Sequence, residues 1–134
     1  MKTTMELILG GASQGKEAYA KKKYSKAPLY DETNIDALFD VTWQEEILWN
    51  HFHRCVRLWQ QQGKTLEQMQ QYVDAVCAKT SHLILISNEV GNGVVPLQQE
   101  DRAYRDLVGA LLIRYAKKAE RVERIICQIP QKIK

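Results

Sequence analysis

Residues 7–9, Leu-Ile-Leu, run straight into Gly10 and Gly11. A short apolar run stopped by two glycines reads as a buried strand, over residues 5–9, that enters a tight turn. The period then changes, and residues 16–24 read as a helix. The same switch recurs along the chain. Residues 37–41, 83–87 and 124–129 are further apolar runs, and helical patterns separate them. Strands that are apolar throughout, rather than alternating, belong to a parallel sheet covered on both faces. The expected fold is therefore α/β, with three α/β/α layers and a mostly parallel sheet of about four or five strands.

The helices are marked by their ends. Thr42 reads as an N-cap, and Leu48, Phe52, Cys55, Val56 and Trp59 fall on one helical face that Gly63 terminates. Thr65-Leu66-Glu67-Gln68 is a capping-box pattern, followed by an apolar stripe of Leu66, Met69, Val73, Val76 and Cys77. A long helix is expected over residues 99–118, with Tyr104, Leu107, Val108, Leu111 and Tyr115 on its stripe. At 134 residues the chain has the length of one domain, residues 1–134. Parallel sheets bind ligands at the carboxyl ends of their strands, so the loops at 10–16, 40–42 and 88–96 are the places to look.

The first of these loops has a specific form. Gly10-Gly11-Ala12-Ser13-Gln14-Gly15-Lys16 has the spacing of a phosphate-binding loop, between a strand and a helix. A glycine-rich turn of this kind aims backbone N–H groups at one spot, the helix dipole adds positive potential, and the lysine adds a full charge. The expected fold is thus P-loop NTPase-like. Position 17 should carry the hydroxyl that holds Mg²⁺, yet it is Glu17; a carboxylate can ligate the metal or neutralise Lys16. Asp40 closes the second apolar run, where an acid would hold the metal through water.

Other classes are disfavoured. A net charge of +3 is too small to argue for nucleic acid, and Lys21-Lys22-Lys23 reads as the solvated end of a helix. Cys55, Cys77 and Cys127 are odd in number, widely spaced and without a C-x-x-C pair. They read as buried free thiols of a cytoplasmic protein, with neither a disulfide framework nor a zinc site. His51 and His53 stand two apart and do not share a helical face, so they make no metal pair, and His82 reads as structural. The N-terminus lacks the apolar core of a signal peptide, and no stretch approaches the length of a membrane span.

Longer motifs resemble one family. Ser87-Asn88-Glu89-Val90-Gly91-x-Gly93-x-Val95-Pro96 is joined by Arg102-x-Tyr104-Arg105-Asp106-x-x-Gly109, by the glycine loop and by Ile129-Pro130-x-Lys132-Ile133-Lys134. Together these resemble the adenosylcobinamide kinase / adenosylcobinamide-phosphate guanylyltransferase family of cobalamin biosynthesis. The resemblance implies a mostly parallel P-loop fold, ATP or GTP with Mg²⁺, phosphorylation of the aminopropanol hydroxyl of adenosylcobinamide, and oligomers of the chain. The family then guanylylates its product through a histidine. Here the H-x-x-x-R-P segment with that histidine has no counterpart, so the second activity is expected to be lost. Ser13, Gln14 and Glu17 replace R, S and S of the family loop. Ala110, Leu112 and Ile113 stand where the family has R-x-N-Q.

Two readings follow. One is a reduced cobinamide kinase, in which Lys16 stabilises the β- and γ-phosphates. In it Asp40, with Glu17, holds metal, Glu89 orients a substrate group, and Asn88 and Arg102 add polar contacts to the loop residues 10–17. Glu89 and Arg102 could instead brace each other as an ion pair. The other reading is a non-catalytic nucleotide- or corrinoid-binding member that works through protein contacts. The first takes a nucleoside triphosphate and adenosylcobinamide, the second a nucleotide or a corrinoid; both expect a homo-oligomer as the assembly and no nucleic acid or membrane as partner.

Overall fold

A computed structural model of the chain describes residues 3–89 and 98–134. In chain order the elements are β1 (Thr4–Gly10), α1 (Lys16–Lys23), β2 (Leu29–Tyr30), α2 (Ile35–Asp40), β3 (Gln44–Trp49), α3 (Phe52–Gln61) and α4 (Leu66–Cys77). They continue with β4 (Thr80–Asn88), α5 (Gln99–Lys118), β5 (Arg121–Ile126) and β6 (Ile129–Lys132). The strands form one sheet in the order β2-β3-β4-β1-β5-β6, and all neighbours are parallel except the final β5–β6 hairpin. The sheet is larger than expected because β2, β3 and β6 are added to the runs the sequence marks.

β1 lies inside the sheet, with Leu7 opposite both Leu85 and Val122. β4 and β5 flank it on both edges and helices cover both its faces, as continuous apolarity requires. Met5, Leu7, Leu83, Leu85 and Val122 join residues of α2, α3, α4 and α5 in the larger core. Ile8, Ile84, Ile86 and Ile125 meet Ala20 of α1 on the other face. The helices thus cover both faces unequally, four against one. The larger core carries edge-to-face pairs of Trp49 with Phe39, Phe52 and Trp59, at centroid separations of 6.3, 5.3 and 6.0 Å.

Two expectations are corrected at the same place. Residues 37–41 do not form a strand: α2 occupies Ile35–Asp40, and Ile35 and Leu38, one turn apart, are its buried residues. The helix expected from Thr42 is split, and its first part is β3. Ile47 and Trp49 enter the larger core while Leu48 enters the smaller one, the two-residue alternation of a strand between two layers. Asp40 consequently lies ahead of the start of β3, exposed, at the opposite end of the sheet from residues 10–16.

Other elements follow their sequence signals. Thr65 and Gln68 form the reciprocal capping box that starts α4, and α5 buries Val108, Leu111 and Tyr115 of its expected stripe. Cys55 is buried, but Cys127 is exposed, because it occupies the β5–β6 turn rather than a strand. The loop expected over residues 90–96 lies outside the described residues. Among the described residues, no helix is long and apolar enough to cross a membrane.

The end of α1 is not simply solvated. Lys23 reaches between two carboxylates, Glu6 of β1 at 2.7 Å and Glu123 of β5 at 2.8 Å, both almost completely buried. The Tyr24 hydroxyl donates to Glu6, and the Tyr19 hydroxyl donates to Glu123 at 2.6 Å. This network fixes the helix that carries the glycine loop at its other end.

Candidate functional site

The loop between β1 and α1 is built by close approach. A side chain at Gly10 would place its Cβ 2.6 Å from the Ile125 carbonyl of β5. Gly15 takes the left-handed conformation at φ 86°, and a Cβ there would meet the Gln128 side chain at 2.3 Å. Ser13 also has positive φ, at 60°. The loop is clasped by the β5–β6 turn: the Cys127 N–H donates to Gln14 Oε1 and the Gln128 N–H to the Gln14 carbonyl, each at 2.8 Å. Gln14 thus ties the loop to the sheet edge.

Gly15 is also the N-cap of α1 and offers no side-chain acceptor. The first N–H groups of the helix have no intrahelical partner, and residues 15–18 line a cavity of about 400 Å³. Lys16 is buried at this wall, and its ammonium donates to the Gly11 carbonyl at 2.6 Å, folding back over its own loop. Burial lowers its proton affinity and the Glu89 charge partly restores it. A buried cation, uncapped helix N–H groups and a glycine turn at one cavity gather positive potential there, which suits an anion.

The opposite wall comes from the region where the strand was not expected. β3 ends at Trp49, and Asn50, His51, His53 and Arg54 line the cavity with Asn88 from the end of β4. Asn50 is 2% exposed, and its amide nitrogen donates to Glu17 Oε1 at 2.7 Å. His53 accepts from the Asn88 N–H through Nδ1 at 3.1 Å, and its own carbonyl accepts from the Tyr104 hydroxyl. Burial, reinforced by the neighbouring His51 and by the positive charges of Arg54 and Lys16, pushes the His53 pKa down to about 4. It is therefore a neutral imidazole near pH 7, and with Nδ1 accepting, its proton sits on Nε2.

The expected residues divide accordingly. Ala12, Ser13, Gln14, Gly15, Lys16, Glu17 and Asn88 line one cavity. Gly10 and Gly11 form the turn beneath it, and the Glu89 N–H donates to the Gly10 carbonyl at 2.9 Å. The Glu89 carboxylate pairs with Arg124 of β5 at 3.2 Å. Arg102 lies on the first turn of α5 and Asp40 at the far end of the sheet; neither lines the cavity. The wall of Asn50, His51, His53 and Arg54 was not anticipated. Its signal was Ile47-Leu48-Trp49 ended by a polar Asn50, the same form as the run that ends at Asn88.

Two groups could hold a cation. The Glu17 carboxylate, which accepts from the Asn50 amide nitrogen at the wall of this cavity, is an oxygen donor that suits a hard ion such as Mg²⁺. Asp31, Glu32 and His51 each bring one ligand atom within 4.8 Å of the others. His51 Nδ1 and Glu32 Oε2 are 3.3 Å apart and buried without hydrogen bonds, although Arg54 also pairs with Glu32 at 3.3 Å. His51 holds its place in a left-handed conformation, φ 52°.

The sequence model of the family described as cobinamide kinase / cobinamide phosphate guanyltransferase matches residues 35–133. No curated protein matches the chain. The chain belongs to the cobinamide kinase / cobinamide phosphate guanyltransferase family. The matched stretch covers β3, β4 and α5 but begins after residues 10–16, so the reading of that loop stands on its own geometry.

Proposed function

We propose that this member of the family binds a nucleoside triphosphate at residues 10–17 and transfers the γ-phosphoryl group to the aminopropanol hydroxyl of a cobinamide. The observation that carries the reading is the buried Lys16, folded over a glycine turn at an uncapped helix N-terminus. Phosphate oxygens would replace the Gly11 carbonyl as the partner of Lys16, and the first N–H groups of α1 would receive the rest of the charge. Phosphoryl transfer depends mainly on positioning and charge stabilisation, which these groups supply. Glu17, positioned by the bond it accepts from Asn50, would hold Mg²⁺, which when bound neutralises phosphate charge and orients the phosphate oxygens. Glu89, close enough to influence Lys16, orients the acceptor hydroxyl, with Asn88 as a further polar contact at the cavity wall. Asp40 has no part, being at the other end of the sheet.

Guanylyl transfer through a histidine is absent in this reading. The family's histidine segment has no counterpart, and His53 commits its Nδ1 lone pair to Asn88 and its Nε2 to a proton. A second reading, a non-catalytic member acting through protein contacts, is favoured by one observation. Ile129 and Ile133 at the β6 edge are 68% and 59% exposed, a surface that would also serve a homo-oligomer.

The assay is phosphorylation of adenosylcobinamide by ATP or GTP with Mg²⁺. Turnover that disappears in Lys16→Ala is expected; wild-type protein without turnover would favour the second reading. Protein incubated with GTP labelled in the α-phosphate should stay unlabelled, and label lost in His51→Asn would show that the covalent route survives.

A further inference from the structure

β2 and β3 run parallel, with Leu29 opposite Leu48 and Tyr30 opposite Trp49. The Asn50 N–H donates to the Tyr30 carbonyl at 2.7 Å, so the two chains leave the sheet side by side. The residues that follow are therefore neighbours: Asp31 and Glu32 after β2, His51 after β3. Each brings one ligand atom within 4.8 Å of the others. The partners of His51 thus lie across the sheet, not two residues along the chain at His53.

Two of these side chains turn unsatisfied atoms toward each other. Glu32 Oε2 and His51 Nδ1 are shielded from solvent, 3.3 Å apart, and neither has a hydrogen-bond partner. Buried polar atoms are nearly always satisfied, so an orphaned pair calls for an explanation such as a bound ion. Arg54 does not supply it. Its guanidinium pairs with the other oxygen, Glu32 Oε1, at 3.3 Å and its side chain is 57% exposed. Asp31 is held by Thr33, whose hydroxyl and N–H both donate to Oδ1, at 2.5 and 2.8 Å. The hydroxyl bond holds the Asp31 carboxyl below its ordinary range, so it is ionised near neutral pH.

The separation of the orphaned atoms fits a metal. A tetrahedral ion, bonded to nitrogen and oxygen at about 2.1 Å each, sets two ligand atoms about 3.4 Å apart, close to the 3.3 Å found. Rotation of the Asp31 side chain brings in the third ligand, and water completes the set. Arg54 turns to solvent when an ion takes its place beside Glu32. One imidazole nitrogen with two carboxylates is a mixed donor set. It suits a borderline first-row ion such as Zn²⁺ better than Mg²⁺, which prefers oxygen ligands.

We propose that Asp31, Glu32 and His51 form a binding site for a divalent transition-metal ion of the Zn²⁺ class, joining the ends of β2 and β3. The ion fixes the turn at His51, which carries Asn50 and His53 into the wall of the first cavity. The site uses none of the residues assigned to phosphate or Mg²⁺, and it does not rest on the phosphate reading.

The test uses the whole untagged chain, stripped of metal with a chelator. It is titrated with ZnCl2 by calorimetry and with CoCl2 by visible absorption. One Zn²⁺ per chain should bind at micromolar concentration or below, and Co²⁺ should give the d–d bands of a four- or five-coordinate site. Loss of an outer partner of a metal ligand already costs about 10–100-fold in affinity, so His51→Gln and Asp31→Asn should each weaken Zn²⁺ about a hundredfold. In ¹⁵N-labelled wild-type protein, which needs no variant to fold, the His51 imidazole resonances should shift at one equivalent of Zn²⁺ while those of His82 stay in place. No saturable binding of Zn²⁺ at submillimolar concentration would overturn the site. Affinity unchanged in either variant, or shifts at His82 in place of His51, would overturn it as well.

Discussion

Glu17 replaces a hydroxyl residue, and the structure shows what it does instead: it accepts from the amide of the nearly inaccessible Asn50. A buried donor that loses its acceptor costs about 1–3 kcal/mol. Glu17→Ser, too short to reach, should lower stability by that amount, whereas Glu17→Gln keeps an acceptor and should be nearly neutral. Urea unfolding of the two variants separates these outcomes; equal stabilities would mean the pair contributes nothing. His53 gives a pH dependence with a definite sign. Its folded pKa, about 4, lies below the ordinary 6.5. The unfolded chain therefore binds the extra proton between those values, so stability is complete above pH 6.5 and falls as pH drops toward 4. His53→Asn retains an acceptor near the Asn88 N–H without a titrating ring. It should flatten the stability profile in that window, and an unchanged slope would contradict the assignment.

At the scale of elements, α1 is held by charge as much as by its thin apolar face. Burial alone would push the Glu6 carboxyl up. Hydrogen bonds from His82, Lys23 and Tyr24, with the Lys23 charge, outweigh this and bring it down to about 2. Lys23 in turn is held protonated well above its usual range, because its bonds to Glu123 and Glu6 overcome its desolvation. Removing one partner of such a group strands the other. Lys23→Met should destabilise by about 3 kcal/mol at neutral pH. The loss should shrink as pH falls from 4.5 toward 2 and the carboxylates protonate; a loss independent of pH would show that packing alone was removed. The same scale explains what the sequence concealed. Leu48 shares helical spacing with Phe52, Cys55, Val56 and Trp59, yet β3 ends at Trp49, and the turn at His51 uses no glycine to announce itself. In residues 37–41 the apolar Leu38 and Phe39 suggested a strand, but burial at Ile35 and Leu38 follows a helical turn. Where a strand was bounded by Gly10-Gly11 or a helix by Thr65 and Gln68, the local chemistry was sufficient.

Across the whole molecule the site follows from strand order. β1 and β4 are neighbours, and β3 lies beyond β4, so the ends of all three open on one edge, with the glycine loop facing Asn50, His53 and Asn88. The turn between β1 and α1 was legible because its glycines and the strand and helix that flank it are consecutive in the sequence. The facing wall was not, because it depends on a register that pairs Trp49 with Leu85 and Leu85 with Leu7. Family membership rests on residues 35–133 and the phosphate reading on residues 10–17. The claim that joins them is that nucleotide binds at that edge. Titration of ¹⁵N-labelled protein with MgATP, followed by amide resonances, tests it most directly. The expected result is that the amides of residues 10–18, Asn50 and Asn88 move first, and that Lys16→Ala abolishes the movement at the same concentration. Shifts confined to other parts of the chain, or unchanged in Lys16→Ala, would contradict it.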